Sequence, residues 1–266
     1  MIIEYNKTMK LELILSPDKN VAEIPSSTYF TSSAIYNSLG ISELHNSKGI
    51  KPISIGTIFQ IGSRPKYEHG KMHLTGKLRL NVGVFGNELS LKVLYKLCET
   101  DKINVCGNIL NIRSVSIVKQ PTLFNACLWS PVYGILTKAP DLYAMEARRL
   151  GMSISEVKSA SYCIGNRSKY LTPNDNMEET ATALKNLIEN KFYTLTGKKR
   201  LVKLAINNSS KVKIATMKNN AKNVIWSAMV MMVSDPDVQS MVFDLGLGGS
   251  NAMGIGEVKL VETKPV

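Results

Sequence analysis

The sequence has few of the side chains that bind metals or carry out thiol chemistry. Of its 266 residues, only three are histidines and four are cysteines. No two cysteines have the two-residue spacing of a metal or redox motif, and no cluster of histidine and cysteine lies near them in the chain. A zinc site or a thiol redox motif is therefore not expected, and buried reduced thiols are the default expectation.

Two further absences narrow the function. The chain has no apolar run of about 18 residues and no signal peptide, so neither a membrane span nor export is expected and a cytoplasmic protein is predicted. It also lacks paired carboxylates placed like a two-metal nuclease site, because Asp235-Pro236-Asp237 is better interpreted as the start of a helix. Neither a metal nor another cofactor is predicted.

What the sequence does have is an excess of positive charge. Lysine and arginine number 33 against 21 aspartate and glutamate, which gives a net charge of +12 at pH 7. An excess of this size is typical of proteins that bind nucleic acid, although lysines scattered over an ordinary surface would also produce it. Apolar residues make up 44% of the chain, enough to form the core of one large domain or two ordinary ones.

The most distinctive stretch is the glycine loop, Gly246–Gly256, in which two Gly-x-Gly pairs stand five residues apart. It follows a predicted helix and precedes a predicted strand. A Rossmann fingerprint and a P-loop have the reverse order, so neither kind of nucleotide site is expected. Two interpretations remain open: a loop whose amides hold an anion, and a tight structural turn that packs helix against sheet.

Apolar alternation and helical spacing predict one order of elements twice, strand–helix–strand–strand–helix–strand. The predicted elements of the first half are a strand over 10–17, a helix over 28–39, a strand over 53–61, a basic turn region over 62–76, a strand over 77–82, a helix over 89–98 and a strand over 109–118. Those of the second half are a strand over 126–136, a helix over 178–195, strands over 201–206, 211–217 and 224–233, a helix over 237–245 and a strand over 255–261.

This order is typical of the ferredoxin-like fold. We predict an α+β protein with two tandem ferredoxin-like (βαββαβ) domains, residues 1–122 and residues 123–266, the second containing the glycine loop at 246–256. Residues 138–173 fit the pattern least well and are interpreted as an insertion.

Several of these features together resemble one family. Gly246-Leu247-Gly248 and Gly254-Ile255-Gly256, just before the last strand, are similar to the glycine-rich signature of the CRISPR-associated repeat endoribonucleases of the Cas-six type, in the RAMP superfamily. Ile35-Tyr36-Asn37 on the first helix and the segment 45–51 before the second strand also match. Leu128-Trp129-Ser130-Pro131-Val132 resembles the strand that opens the family's second ferredoxin-like fold. The resemblance covers nearly the whole chain.

The resemblance implies a metal-independent endoribonuclease that cuts CRISPR repeat RNA (precursor crRNA) into guide RNAs for antiviral defence. It also implies a basic cleft between the two domains. Attack by the RNA 2′-OH would leave 5′-OH and 2′,3′-cyclic phosphate ends.

Archaeal members of the family use a tyrosine, a histidine and a lysine, and the matching residues are Tyr36, His45 and Lys51. His45 is expected to be the general acid or base and Tyr36 its partner, while Lys51 stabilises charge. Alternatives stay open, since His45 is also compatible with a solvated linker residue, Tyr36 with a half-buried aromatic, and Lys48 with the role of Lys51.

Contacts with the RNA are expected from the glycines of the loop and from basic residues in both halves. The predicted set is Gly246, Gly248, Gly254, Gly256, Lys48, Arg64, Lys66, His69, His73, Lys198, Lys199, Arg200 and Lys213. His69 and His73 are also the alternative proton carriers. Any single lysine in such a set is more often solvated than essential.

The predicted partner is CRISPR repeat RNA, with a second copy of the chain (a homodimer) or a CRISPR interference complex as further partners. Two other functions stay open. One is a non-catalytic repeat-RNA binding protein of the same architecture. The other is a general RNA chaperone or ribosome-associated protein, which would bind unrelated RNAs equally well.

Overall fold

A computed structural model describes residues 8–41, 44, 49–138, 147, 149–159, 170–207, 210–216 and 222–265. The helices are α1 (Thr28–Ser38), α2 (Asn87–Glu99), α3 (Ile154–Ser159), α4 (Met177–Thr196) and α5 (Pro236–Leu245). No helix in these ranges is long and apolar enough to cross a membrane.

The strands of the first half are β1 (Thr8–Pro17), β2 (Ala22–Pro25), β3 (Ile53–Ile55), β4 (Phe59–Gln60), β5 (Lys66–Glu68), β6 (Lys71–Leu74), β7 (Leu78–Phe85), β8 (Lys102–Val105) and β9 (Asn108–Ile117). Those of the second half are β10 (Ala126–Pro131), β11 (Lys203–Ile206), β12 (Lys211–Thr216), β13 (Lys222–Ser227), β14 (Val230–Val233) and β15 (Val258–Lys264).

Both halves are ferredoxin-like, as predicted. The first sheet has the order β3-β7-β1-β9-β8, and the second has the order β11-β14-β10-β15. In each half the first strand therefore lies between the third and fourth strands of the βαββαβ unit, and all neighbours are antiparallel. Strand β9 ends at Ile117 and β10 begins at Ala126, and the predicted boundary after residue 122 falls between them but remains a prediction.

Local sequence explains the main elements. Leu11, Leu13 and Leu15 alternate along β1 and are fully buried, so they define the face of the sheet that carries the core. Helix α4 begins where the side chain of Asn176 accepts a hydrogen bond from the amide of Glu179 at 3.0 Å. It ends at Gly197, whose φ of 72° is in the left-handed region.

Four predictions about elements need correction. The predicted turn region over 62–76 contains the hairpin β5–β6, which pairs with β2 in a separate three-stranded sheet. The predicted strand over 53–61 is divided into β3 and β4. The predicted strand over 224–233 is two strands, β13 in a ribbon with β12 and β14 in the main sheet. The predicted strand over 126–136 ends at Pro131, and Ile135 instead forms an isolated bridge with Trp226 of β13.

The two halves are packed directly against each other. The hydroxyl of Ser54 donates to the backbone carbonyl of Asp244 at 2.8 Å, and the side-chain amide of Asn81 donates to the carboxylate of Glu257 at 2.6 Å. A Cβ on Gly83 would overlap with the backbone of Asp244. The core of the first half also includes Ala252 from the glycine loop, so the loop belongs to both domains.

Candidate functional site

The two Gly-x-Gly pairs of the glycine loop lie back to back. The amide of Leu247 donates to the carbonyl of Gly256 at 2.8 Å, which joins the first pair to the second. Gly246 and Gly256 have φ angles of 79° and 90°, and a Cβ on either would overlap with backbone of the opposite pair. Glycine is required here because two backbone segments cross without room for a side chain.

Two buried side chains hold the inside of this loop. Lys191, on helix α4 and 5% exposed, donates from Nζ to Asn251 Oδ1 and to the carbonyls of Gly246 and Gly248, at 3.4 and 3.2 Å. The amide of Asn251 donates to the carbonyls of Leu247 and Ile255, both at 2.9 Å. Burial lowers the pKa of Lys191 to about 7.

The loop is fixed to both domains. Its amides at Gly249 and Gly256 donate to the carbonyls of Leu136 and Gly134 at 2.9 and 2.8 Å. On the other side, a Cβ on Gly254 would lie 2.5 Å from Cβ of Thr28, at the start of α1. These contacts leave one stretch of the loop accessible.

Gly246, Gly248, Gly254 and Gly256 are buried, whereas Gly249, Ser250 and Met253 are half-exposed. The predicted RNA contacts of the four paired glycines are not tested by this arrangement and remain predictions. Their packing shows that they shape the loop.

A cavity of about 250 Å³ lies between the accessible part of the loop and the segment before β3. Gly248 to Met253 form one wall, and Gly49 to Lys51 with Ile53 form another. Three lysines line it: Lys51, Lys138 and Lys191. A small cavity with lysine side chains and polar backbone is suited to an anion such as a phosphate, with Lys51 and Lys138 as its cations, because Lys191 already donates to three acceptors of the loop.

The structure brings two of the predicted catalytic residues together. Nζ of Lys51 lies 5.7 Å from the ring centroid of Tyr36, within the range of a cation–π contact. Partial burial lowers the pKa of Lys51. Tyr36 is fully buried, and burial raises its pKa above its usual value. A raised pKa makes the hydroxyl of Tyr36 a weaker proton donor near neutral pH, so its position fits support of Lys51 through the ring better than proton transfer.

The other residues predicted in this segment, His45 and Lys48, lie outside the described residues. The neighbouring Gly49 lines the cavity with Lys51.

The outer basic residues fall into two groups. Lys66 and His73, on the three-stranded sheet, lie 2.6 Å and 3.6 Å from carboxylate oxygens of Glu68. Arg200 lies 2.6 Å from Asp235. The second group is exposed, as Lys66 also is, and forms no ion pair among the described residues: Arg64, His69, Lys198, Lys199 and Lys213. The first group has part of its charge neutralised within the protein, so the second is better suited to phosphates.

A larger cleft, of about 700 Å³, runs between the domains. Four cations line it, namely Lys10, Arg79, Lys119 and Lys259, together with the carboxylates of Glu12 and Glu257. The predicted basic cleft therefore contains acidic groups as well. Glu257 is already engaged, because it accepts from Asn81 and lies 3.9 Å from Nζ of Lys10. Among the residues that the structure describes, no three His, Cys, Asp or Glu side chains are placed to hold a metal ion.

Sequence reasoning missed Lys191 and Asn251. A signal for Lys191 was present, since it falls among the buried positions of α4, with Leu184, Ile188 and Phe192. A lysine on the apolar face of a helix needs acceptors inside the protein.

The chain is similar to known CRISPR-associated proteins in sequence and in fold. Residues 157–260 match the family described as CRISPR associated protein Cas6, C-terminal. The CRISPR-associated endoribonuclease Cas6 1 of Methanocaldococcus jannaschii is 27% identical, over 97% of this chain and 95% of that protein.

Two solved structures have the same fold. A CRISPR associated protein Cas6 superposes with a TM-score of 0.73 at 23% identity, over 96% of this chain and 100% of its own. The product of a Cas6-related gene from Pyrococcus furiosus gives a TM-score of 0.76 at 14% identity, over 97% and 100%. These findings confirm the resemblance inferred from the glycine loop: the chain is similar over nearly its whole length to CRISPR-associated Cas6 proteins, and residues 157–260 match the Cas6 C-terminal family.

Proposed function

We propose that this protein is an endoribonuclease that cuts CRISPR repeat RNA into guide RNAs without a metal ion. One observation carries the proposal: Lys51 and the accessible part of the glycine loop line the same small cavity. Lys51 is one of the residues predicted to act in cleavage, and it meets the family's glycine signature across about two hundred residues of sequence. The Methanocaldococcus jannaschii relative, which is named an endoribonuclease, supports the same function.

The reaction uses a nucleophile that the RNA supplies. The 2′-oxygen attacks the adjacent phosphorus while a base removes its proton, and the bond to the 5′-oxygen breaks as an acid protonates that oxygen. The products are a 2′,3′-cyclic phosphate and a 5′-OH. Such a reaction needs proton carriers and a cation beside the phosphorane, which lysine supplies electrostatically.

The residues divide these tasks. His45 carries a proton, because the usual pKa of histidine is near neutrality. Lys51 stabilises the charge on the phosphate. Tyr36 was predicted as the partner of His45 in proton transfer; its burial and raised pKa support instead a role in holding Lys51 through its ring.

Repeat RNA would reach the cavity across the basic surfaces of both domains. The cations of the interdomain cleft and the exposed Lys198, Lys199 and Lys213 would contact phosphates. Affinity for RNA should then fall steeply with salt, as counterions are released on binding.

The decisive experiment is incubation of the protein with CRISPR repeat RNA from the same genome in excess chelator. A matched substrate carries one 2′-deoxy nucleotide at the mapped cut site. Cutting of the first RNA and not the second supports metal-free attack by the 2′-OH. Cutting of both, or cutting that requires an added divalent cation, contradicts it.

Variants then separate the roles. His45→Ala is expected to abolish cutting while RNA affinity changes less than about twofold, a small effect beside the 10²–10⁴-fold contribution of a proton carrier. Lys51→Ala should slow cutting more than Lys51→Arg, which keeps the charge. Equal loss of binding and folding in His45→Ala would contradict its assignment.

A second candidate is a protein that binds repeat RNA and does not cut it. The burial of Tyr36 favours this candidate, since it removes one predicted proton carrier from contact with RNA. Tight binding with no cutting of either substrate would support it. In that case the partner to test next is a CRISPR interference complex, and a second copy of the chain should be tested by sedimentation.

A further inference from the structure

A separate cavity of about 530 Å³ lies at the junction of the two domains. Its walls are the start of β1, the first turns of α2, the residues after β9, and Asp244 at the end of α5. It adjoins the interdomain cleft, because Lys10, Val118 and Lys119 line both. The proposed cleavage chemistry makes no use of this cavity.

Two side chains in its walls each hold a buried oxygen without a hydrogen-bond partner, although the carboxyl group of Asp244 as a whole also accepts a hydrogen bond from Thr8. Ser90 is 1% exposed and Asp244 is 4% exposed. Within the part of the chain that the structure describes, neither Oγ of Ser90 nor Oδ2 of Asp244 has a hydrogen-bond partner. Buried polar atoms are nearly always bonded, and each unbonded one destabilises the fold. Two of them lining one cavity indicate a ligand that supplies the missing bonds.

The chemistry of the walls limits this ligand. An ionised carboxylate only accepts hydrogen bonds, so Asp244 needs a donor from the ligand. Met9, Leu91 and Val118 provide apolar surface for a flat ring. Lys10 and Lys119 place positive charge on the side shared with the cleft, where a phosphate would lie.

Burial supports the same picture. It raises the pKa of Asp244 to about 6, and the hydrogen bond from Thr8 and the charge of Lys10 oppose this shift only in part. The carboxyl group is therefore an acceptor at and above neutral pH, although its ionised form is disfavoured by the protein around it. A buried group that costs stability and lines a cavity is typical of a binding site.

We propose that this cavity, the Asp244 pocket, receives one nucleobase with an exocyclic amino group from RNA that lies in the interdomain cleft. Adenine, cytosine and guanine can each donate from the amino group to Oδ2 of Asp244, and the hydroxyl of Ser90 can bond a neighbouring ring atom. Uracil presents carbonyl oxygens on both sides of its single N–H, and these would face the carboxylate. The pocket thus selects against uracil, and the inference rests on the proposed function for its RNA ligand.

The test measures binding without cleavage. Fluorescence anisotropy compares a labelled twelve-nucleotide all-uridine RNA with three RNAs that carry A, C or G at alternate positions, at pH 7.5 with chelator. The wild-type protein should bind at least one amino-bearing RNA about tenfold more tightly than the uridine RNA, as expected for one carboxylate–base contact. Equal affinity for all four RNAs would overturn the proposal.

Variants assign the preference to the pocket. Asp244→Asn should reduce the preference to less than about twofold, because its amide can also donate to uracil, and Ser90→Ala should reduce it in part. Asp237→Asn is the control, since this acid lies on the same helix beside Arg200 and does not line the pocket. Retention of the full preference in both Asp244→Asn and Ser90→Ala would overturn the assignment.

The outcomes separate this inference from the cleavage proposal. If the protein fails to cut repeat RNA and still shows the Asp244-dependent preference, the pocket inference stands and the cleavage proposal fails. If the protein cuts repeat RNA and shows no preference among bases, the cleavage proposal stands and the pocket inference fails. Competition with millimolar AMP, CMP, GMP and UMP identifies the source of the base: selective binding of a free nucleotide with no discrimination among the RNAs would overturn the RNA assignment.

Discussion

The ammonium group of Lys191 donates a hydrogen bond to the side-chain oxygen of Asn251, and this bond connects helix α4 to the glycine loop. Through the same two side chains, four loop carbonyls receive donors: those of Gly246, Leu247, Gly248 and Ile255. The conformation of the loop therefore depends on a lysine that is distant in sequence.

Replacement of this lysine should loosen the loop. Lys191→Met keeps the apolar stem and removes the donors, which leaves Asn251 Oδ1 and two carbonyls without their bonds. We expect a loss of about 3 kcal/mol in the free energy of unfolding, measured with urea. Amide hydrogen exchange should also become faster over 246–256.

The control for this change is Lys185→Met, on the same helix, where the lysine is 41% exposed and lies 3.9 Å from Glu189. An exposed ion pair of this kind contributes less than about 1 kcal/mol. Equal stability of Lys191→Met and Lys185→Met would show that the hydrogen bonds of Lys191 do not hold the loop.

The crossing of the two Gly-x-Gly pairs predicts different tolerance at two glycines of one loop. Gly256→Ala places a Cβ against the backbone oxygen of Leu247 at a φ of 90°, so we expect about 3 kcal/mol of destabilisation. Gly249 has no positive φ and the nearest atom to its Cβ would be 3.4 Å away, so Gly249→Ala should cost less than about 1 kcal/mol. Thermal unfolding measures both, and a similar melting temperature for the two variants would contradict the crossing geometry.

The buried carboxyl of Asp244 predicts a pH dependence of stability. Its pKa is raised from 3.8 to about 6, so between these values the folded protein holds a proton that the unfolded chain has released. The cost to stability is absent below about pH 4, grows as pH rises to about 6, and is then constant. Asp244→Asn should therefore be more stable than wild type by about 3 kcal/mol once the pH is well above 6.

The measurement is urea denaturation of both proteins between pH 4 and pH 8. The difference between them should vanish at the acidic end, because both side chains are then uncharged. A variant that is less stable than wild type at pH 7 would show that the carboxylate is held by favourable contacts in the fold.

The outer basic residues should contribute unequally to RNA affinity. Glu68 lies close to both Lys66 and His73, whereas Lys213 is exposed on β12. Lys213→Ala should weaken RNA binding and reduce the slope of log affinity against log salt by about one. Lys66→Ala and His73→Ala should change the slope less, and a larger change than that of Lys213→Ala would contradict this order.

Local patterns were sufficient for much of the fold. The alternation of Leu11, Leu13 and Leu15 marks β1, and Asn176 marks the start of α4. The hairpin β5–β6 was not predicted, because its alternation is carried largely by polar residues and its partner β2 lies about fifty residues earlier. The division between β13 and β14 was hidden in one apolar run, since the change of sheet at Ala228 and Met229 depends on the partners and not on the sequence itself.

The candidate site was only partly predictable from the sequence. The glycine pairs and Lys51 could be recognised in the sequence. The cavity between them forms only because the glycine loop of the second domain packs against the first domain. No local pattern predicts the hydrogen bond between Lys191 and Asn251 or the pairing of Lys66 and His73 with a carboxylate, because these are tertiary contacts.

The contact between Gly83 and Asp244 has a mechanical consequence. No methyl group fits between the two backbones, and the bond from Ser54 to the same carbonyl closes the joint from a second side. Contacts this close fix the distance between the two walls of the interdomain cleft. If the cleft binds RNA as proposed, the width and flexibility of the strand would therefore decide whether it enters before any base is recognised.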